Sequence, residues 1–377
     1  MFDHLRLQKW PFTVVPDPAS CNFIAGREQL RDDLEKLLRN FCRHNTSSIH
    51  PIWSWLGSGK THALHYLSNR AVEICKQNTN HIKTVYSEFP RNPRSFVDVY
   101  RGFALPLEQE MLSASYLEIC TSSRLSDLER NLRSVSSDLV SALKVLVLGE
   151  PDDQDLAMRW LRAESLQATE CRKLGISKKI GTSEDSSRVL TGLVRMFSLL
   201  ASSQGQNASR LVWLLDELQR IGKLPPRIRD EINAGLHSTF NACPTSFSMI
   251  LSFSGHPTEA LPAWFSPELK DRIGRTKVMV LPPMETEGAL RFIKDVLAHF
   301  RRPEDVEVDP YFPFTESACR VIIENIRKHD DELKPRAIMQ VFNAVLLEAD
   351  EQIESGKIAA VSPKFANAVL AELAPLE

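Results

Sequence analysis

Gly57, Gly59, Lys60 and Thr61 stand in the run Ser54-Trp55-Leu56-Gly57-Ser58-Gly59-Lys60-Thr61. Small residues let main-chain N–H groups close around phosphate oxygens, a lysine reaches the terminal phosphates, and a hydroxyl ligates Mg²⁺. Gly57, Ser58, Gly59, Lys60 and Thr61 supply those groups, and His62 follows directly as a further candidate contact. The strict pattern has glycine where Ser54 stands, so Ser54 is expected to take a turn that glycine adopts more easily. A second chemical pair ends the apolar run Leu211-Val212-Trp213-Leu214-Leu215-Asp216-Glu217. A carboxylate at the end of a buried strand can hold Mg²⁺, so Thr61 and Asp216 are the candidate metal ligands. A neighbouring carboxylate can polarise an attacking water, and Glu217 is placed for that role. An Asp-Glu pair also suits a helix N-cap. The phosphate loop upstream favours the catalytic reading.

These residues need elements to hold them. Ile49–Leu56 reads as a strand entering the loop, and residues 60–75 as the helix leaving it. Thr84–Tyr86, Leu211–Leu215, Ser248–Phe253 and Val278–Leu281 are further strand candidates. The five consecutive apolar residues of Leu211–Leu215 suit a strand covered on both faces of a parallel sheet. Helical periodicity fills residues 95–205 and returns at 286–299, 316–328 and 336–353. Strands alternating with helices, followed by helices alone, imply an α/β core and a C-terminal helical bundle. The expected organisation is an ordered arm over 1–25, an α/β domain over 26–302 with a helical insertion at about 104–185, and a helical lid over 303–377. Leu112, Leu117, Leu125 and Leu128 leave open whether the insertion is a partner surface or an extension of the core.

Composition narrows the classes. A chain of 377 residues, 43% hydrophobic and 25% charged, is neither disordered nor a coiled-coil rod. No apolar run approaches the roughly 18 residues of a membrane helix, and no signal-peptide order opens the chain. Seven scattered cysteines without a CxxC fit a reduced, cytoplasmic protein with no disulfide framework. The net charge of −2 conceals a gradient. Residues 303–377 hold 15 acidic and 7 basic residues, a net of −8, while residues 1–302 hold 39 basic and 33 acidic, a net of +6.

With the phosphate loop and the acidic strand in place, the chain resembles the AAA+ ATPases over about residues 20–355. The resemblance implies an α/β P-loop NTPase core with a helical lid, ATP and Mg²⁺ as cofactors, and ATP hydrolysis. It assigns Asp216 and Glu217 to the Walker B motif and Ser254 to sensor 1. Arg272, with Arg275 second, becomes a trans-acting finger, and Arg336 in Leu333-Lys334-Pro335-Arg336-Ala337 becomes sensor 2. Gly26-Arg27-Glu28 is similar to the adenine-contacting segment of initiator-like ATPases, making Arg27 a nucleotide contact. The Trp10-Pro11-Phe12 and Pro16-Asp17-Pro18 arm resembles that of ExeA-, TniB- and TnsC-like ATPases. Trp160–Glu164 with Leu174-Gly175-Ile176 loosely resembles BrxD-like ATP-binding proteins of bacteriophage-exclusion systems.

A finger arginine that serves a neighbour's nucleotide implies head-to-tail assembly into a ring or filament. Arg220, Lys223, Arg227 and Arg229 follow the acidic pair without an intervening acid until Asp230. In ring-forming relatives that segment faces the pore, so Lys223, Arg227 and Arg229 are candidate contacts to double-stranded DNA phosphates. Gly222 and Pro225-Pro226 are expected to shape this stretch as a loop. A solvated basic surface is the plainer alternative. The reading is an ATP-dependent switch acting on DNA or on a partner nuclease, transposase or methyltransferase, with no membrane role. A nucleotide-gated scaffold that scarcely hydrolyses ATP, or a protein remodeller without DNA, are the alternatives.

Overall fold

A computed structural model describes the chain except residues 1, 14, 16, 79–80, 122–124, 204–208, 259, 275–277, 306, 330–331 and 374–377. Four strands, β1 (Ser48–Ser54), β2 (His81–Glu88), β3 (Ser209–Asp216) and β4 (Phe247–Ser254), form one parallel sheet in the order β1-β4-β3-β2. Every residue of β3 is buried, as a central parallel strand covered on both faces requires. The expected strand at Val278–Leu281 is reduced to a parallel bridge at Met279. It exchanges main-chain hydrogen bonds with Pro51 and Trp53, and prolines at 282 and 283 follow directly.

The chain forms two compact units that each draw on separate stretches of sequence. One comprises residues 36–53 and 67–280, the other residues 1–35, 54–66 and 281–377. The first holds the sheet. Its core joins Trp213, Phe247 and Phe253 of the strands to Phe103, Leu112, Leu139, Trp160 and Leu193 from the helices between β2 and β3. Those helices include Gln109–Thr121, Ser137–Leu148, Pro151–Leu161 and Ser183–Ser203. They share one apolar core with the sheet, which favours a thickened core over a free-standing partner arm. Leu112 is buried and Leu117 is exposed, while the side chains of Leu125 and Leu128 lie outside the described residues.

Arg210 is 2% exposed inside β3, and its hydrogen-bond partners among the described residues include no carboxylate. Its guanidinium instead donates to the carbonyls of His44 and Thr46 and to Ser248 Oγ, and it lies 5.2 Å from the Phe41 ring. Burial lowers its pKa to about 10. The two carbonyls lie just beyond the end of the helix Glu28–Arg43.

The second unit packs Leu5, Leu7 and Phe12 of the arm against the helices Thr286–Phe300, Glu316–His329 and Pro335–Glu354. Trp10 Nε1 donates to Asn343 Oδ1 at 2.7 Å, and His4 meets Asp350 at the same distance. The arm is therefore an integral part of that core. A helix at Pro363–Glu372, which the periodicity did not single out, completes it. Among the described residues no helix is long and apolar enough to cross a membrane.

Candidate nucleotide-binding and hydrolysis residues

The phosphate loop belongs to the second unit. Gly57 has φ +77° and Gly59 φ +95°, the left-handed region that side chains disfavour. A Cβ on Gly57 would lie 3.3 Å from Arg336 Cβ, and one on Gly59 would lie 3.9 Å from both Arg27 Nη1 and Pro335 Cγ. The loop is thus a main-chain cradle closed over by two arginines. Ser54 departs from the expectation. It is the last residue of β1, is fully buried, and is absent from the residues with positive φ. Its hydroxyl donates to the Leu281 carbonyl at 2.5 Å. The turn begins beyond Ser54, so no glycine is needed there.

Lys60 opens the helix Lys60–Asn78 and is 6% exposed. Its ammonium donates to the carbonyls of Trp55 (2.7 Å) and Ser54 (3.3 Å), which holds the positive charge over its own loop. Thr61 occupies the next position of the same first turn. Ser58 is 2% exposed, and its Oγ has no hydrogen-bond partner among the described residues. Arg27 donates from Nη1 to the Ser58 carbonyl (2.6 Å) and from Nη2 to the Pro282 carbonyl (2.7 Å), and burial lowers its pKa to about 10. Gly26 before it has φ +59° and sits so close to Phe292 that a Cβ would come within 2.8 Å of that main chain. Arg336, in the first turn of Pro335–Glu354, donates its main-chain N–H to the Gly57 carbonyl at 3.3 Å, while its side chain is exposed. Arg27 and Arg336 are therefore brought to the loop.

His62 meets the arm through both ring nitrogens. One ring nitrogen, Nε2, is 2.7 Å from the Phe23 carbonyl and the other, Nδ1, is 3.3 Å from Cys21 Sγ. A carbonyl only accepts, so Nε2 carries the proton and donates. Burial lowers the His62 pKa and raises that of Cys21 to about 11. Both nitrogens fasten the arm to the helix after the phosphate loop, which leaves the ring a tethering role.

The acidic residues belong to the sheet unit. Asp216 closes β3 and is 1% exposed, with Oδ1 accepting the Glu217 N–H at 2.8 Å and Oδ2 lying 3.5 Å from the Tyr86 hydroxyl. Burial, then the Asp216 charge, raises the Tyr86 pKa. Glu217 has φ +60° and ψ 27°, left-handed without being glycine. Such a conformation costs about 1–3 kcal/mol and persists only when surroundings hold it. The holders come from the 3₁₀ turn Leu218–Lys223. Gln219 Nε2 donates to Glu217 Oε2 at 3.0 Å, and Arg220 pairs with the same oxygen at 3.2 Å. Arg220 also pairs with Glu88 at 3.4 Å and donates to the Phe89 carbonyl at 2.5 Å. Ser254 closes β4. Its N–H donates to Gln219 Oε1 at 2.8 Å, and its hydroxyl has no partner among the described residues. Gln219 carried no motif signal, since only its offset from Asp216 marks it.

Arg220 faces the acids and drops out of the basic stretch. Lys223 and Arg227 are exposed, and Arg229 is half-buried beside Asp230 at 3.6 Å. The expected loop is instead the end of the 3₁₀ turn followed by the helix Pro226–Ala242, with Arg227 and Arg229 in its first turns. Proline at the first helical position suits a helix start as well as a loop. Arg272 is exposed in the last turn of Pro267–Ile273, and Arg275 lies outside the described residues.

Two solved structures share the architecture. The Aeropyrum pernix ORC1 protein, in complex with DNA, aligns with a TM-score of 0.54 at 12% identity, covering 97% of this chain and 70% of that one. The Aeropyrum pernix ORC2 protein, in ADPNP–ADP complexes, aligns at 0.53 and 15% identity, covering 93% and 69%. This chain has the AAA+ P-loop NTPase fold. No family model and no curated protein matches the sequence.

Proposed function

We propose that the chain is an ATP-dependent switch that binds ATP with Mg²⁺, hydrolyses it, assembles as a homo-oligomer and acts on double-stranded DNA. The observation that carries this reading is the loop with left-handed Gly57 and Gly59, a buried Lys60 and an orphaned Ser58 hydroxyl. A phosphate group fits that donor set, because main-chain N–H groups, an ammonium and a hydroxyl all complement its oxygens. Arg27 and Arg336 would flank the nucleotide. Thr61 and Asp216 would hold Mg²⁺, which is commonly held by few protein groups beside substrate phosphates. When bound, that ion neutralises phosphate charge. Glu217 would orient and deprotonate the attacking water, with Ser254 contacting the terminal phosphate. Arg272 is the proposed finger from a neighbouring copy. Lys223, Arg227 and Arg229 would meet DNA phosphates without reading sequence. The DNA complex of the ORC1 neighbour and the ADPNP–ADP complexes of ORC2 support the choice of ligands. A phage-exclusion or transposition setting, with a nuclease, transposase or methyltransferase as partner in the cytoplasm, rests on the arm and central-region resemblance.

One observation favours a second reading. Arg220 occupies a Glu217 oxygen that an attacking water would need, which suits a nucleotide-gated scaffold. ATP turnover with and without double-stranded DNA separates the two. A switch hydrolyses ATP, responds to DNA, and is trapped as an assembly by Glu217→Gln. A scaffold is insensitive to that change. Lys223, Arg227 and Arg229 changed together to Glu should weaken DNA binding and flatten its salt dependence by roughly one unit of slope per lost phosphate contact. Unchanged DNA affinity in that variant removes these residues from the DNA contact.

A further inference from the structure

The Gln219 side chain touches both the Glu217 carboxylate and the end of β4. Its two amide atoms have fixed identities. Ser254 N–H can only donate, so the atom facing it, at 2.8 Å, is the amide oxygen. An ionised Glu217 can only accept, so the atom facing it, at 3.0 Å, is the amide nitrogen. A flipped amide would place two acceptors together on one side and two donors together on the other. Gln219 therefore has one orientation, and it ties the exit of β3 to the exit of β4.

The tie matters because of what stands at each end. Glu217 sits in a left-handed conformation that local sterics do not favour, so the direction of its carboxylate depends on side-chain tethers. Ser254 precedes Gly255, whose φ is +153°, and Ser254 has a hydroxyl without a partner among the described residues. A ligand that engages that hydroxyl moves the same residue whose N–H holds Gln219. Arg220 grips the same Glu217 oxygen, but from Glu88 and Phe89 on the other side.

We infer that Gln219 is a positioning residue for hydrolysis: it sets the Glu217 carboxylate according to the position of the Ser254 main chain. This rests on the proposed ATPase reading and adds to it how occupancy at the end of β4 reaches the base. Gln219 touches no reacting atom. It orients the group that does, and misplacement of such a group by about 1 Å can lower a rate by about 100-fold.

The test compares two substitutions by steady-state ATP turnover, ATP affinity and thermal unfolding. Gln219→Leu removes both hydrogen bonds. Gln219→Glu keeps an acceptor for Ser254 N–H and replaces the donor to Glu217 by a like charge. Both variants should lose about 100-fold in kcat, with KM for ATP within about twofold of the parent. In a Glu217→Gln background, Gln219→Leu should lower turnover no further, because the two residues act as one unit. A purely structural role for Gln219 predicts a different pattern: Gln219→Glu, which retains the bond to β4, would keep kcat within twofold, and that result overturns the proposal. Equal losses of kcat and thermal stability in both variants, with additive effects in the Glu217→Gln background, overturn it too. If Glu217→Gln itself leaves turnover unchanged, the hydrolysis reading fails together with this one. If Glu217→Gln abolishes turnover while Gln219→Leu does not, only the positioning role fails.

Discussion

The phosphate loop and the acidic strand end are held by different kinds of bond. Around the loop, the groups held are main-chain ones: Gly57 and Gly59 are left-handed, the Lys60 and Arg27 side chains donate to loop carbonyls, and Arg336 meets the Gly57 carbonyl through its own N–H. At the acidic end, a strained Glu217 is held by side chains, Gln219 and Arg220, that reach Ser254, Glu88 and Phe89. A main-chain cradle requires particular residue types at particular spacings. A side-chain brace requires only that some donor of suitable length arrive. The first is written as a motif, and the second is not.

The sharpest test of this contrast sets Lys60→Ala against Glu217→Gln. Lys60→Ala should abolish ATP binding, measured by titration calorimetry. Glu217→Gln should keep binding and lower turnover by about 10²–10⁴-fold, the range for a general base. Loss of binding in Glu217→Gln would show that the two ends are not separable in function.

Acid should next weaken both units. In the sheet unit, burial and then the Arg210 charge lower the His50 pKa from 6.5 to about 4. A histidine whose folded pKa lies below its unfolded one stabilises the fold above the unfolded value. That stability is lost as pH falls from about 6.5 toward 4, and the shift corresponds to about 3 kcal/mol. His62, lowered by burial in the other unit, adds a loss of the same sign at the arm. Urea unfolding at pH 7 and pH 4.5 should show the decrease, and His50→Gln should shrink its pH-dependent part. A pH-independent midpoint across that window would contradict the burial of both rings.

The same division explains what was legible in the sequence. Four of the five expected strands, the phosphate loop and the three C-terminal amphipathic helices follow from apolar runs and period, and the structure places them within a few residues. The resemblance singles out Arg27 and Arg336, which lie at the phosphate loop on segments whose backbone is constrained, Gly26 by close approach to Phe292 and Pro335 by its helix start. The position of His62 suggests the nucleotide, but no sequence signal shows that Cys21 and Phe23, some forty positions away, meet its ring nitrogens. A run of basic residues says nothing of which one turns to Glu88 and Glu217, as Arg220 does. Gln219 leaves no trace because its bond to Glu217 follows no motif and its bond to Ser254 spans 35 positions. The β-bridge at Met279 carries the apolar pattern of a strand, but the prolines after Leu281 supply no N–H to extend a ladder.

The main-chain half of the contrast can be probed by adding one carbon. Gly57→Ala forces φ +77° on a residue with a Cβ, at about 1–2 kcal/mol, and that Cβ lies 3.3 Å from Arg336. ATP affinity should fall by about tenfold, the equivalent of roughly 1.4 kcal/mol. Affinity within twofold of the parent would mean that the loop relaxes without the left-handed turn.

The smallest expected effect concerns the position where the motif itself is broken. Ser54 stands where the pattern has glycine, yet it is a buried strand residue whose hydroxyl donates to Leu281. If its work is that bond, Ser54→Ala should cost about 1 kcal/mol of stability, a lowering of about 2–4 °C in the unfolding midpoint, and leave ATP affinity unchanged. Ser54→Gly, which restores the pattern residue, should be worse. It loses the same bond and adds about 0.5–1 kcal/mol for glycine inside a strand. A gain in ATP affinity on restoring the glycine would place Ser54 in the turn after all. A loss of stability without a change in affinity assigns it to the strand, and shows that the cradle proper starts three residues later, at Gly57.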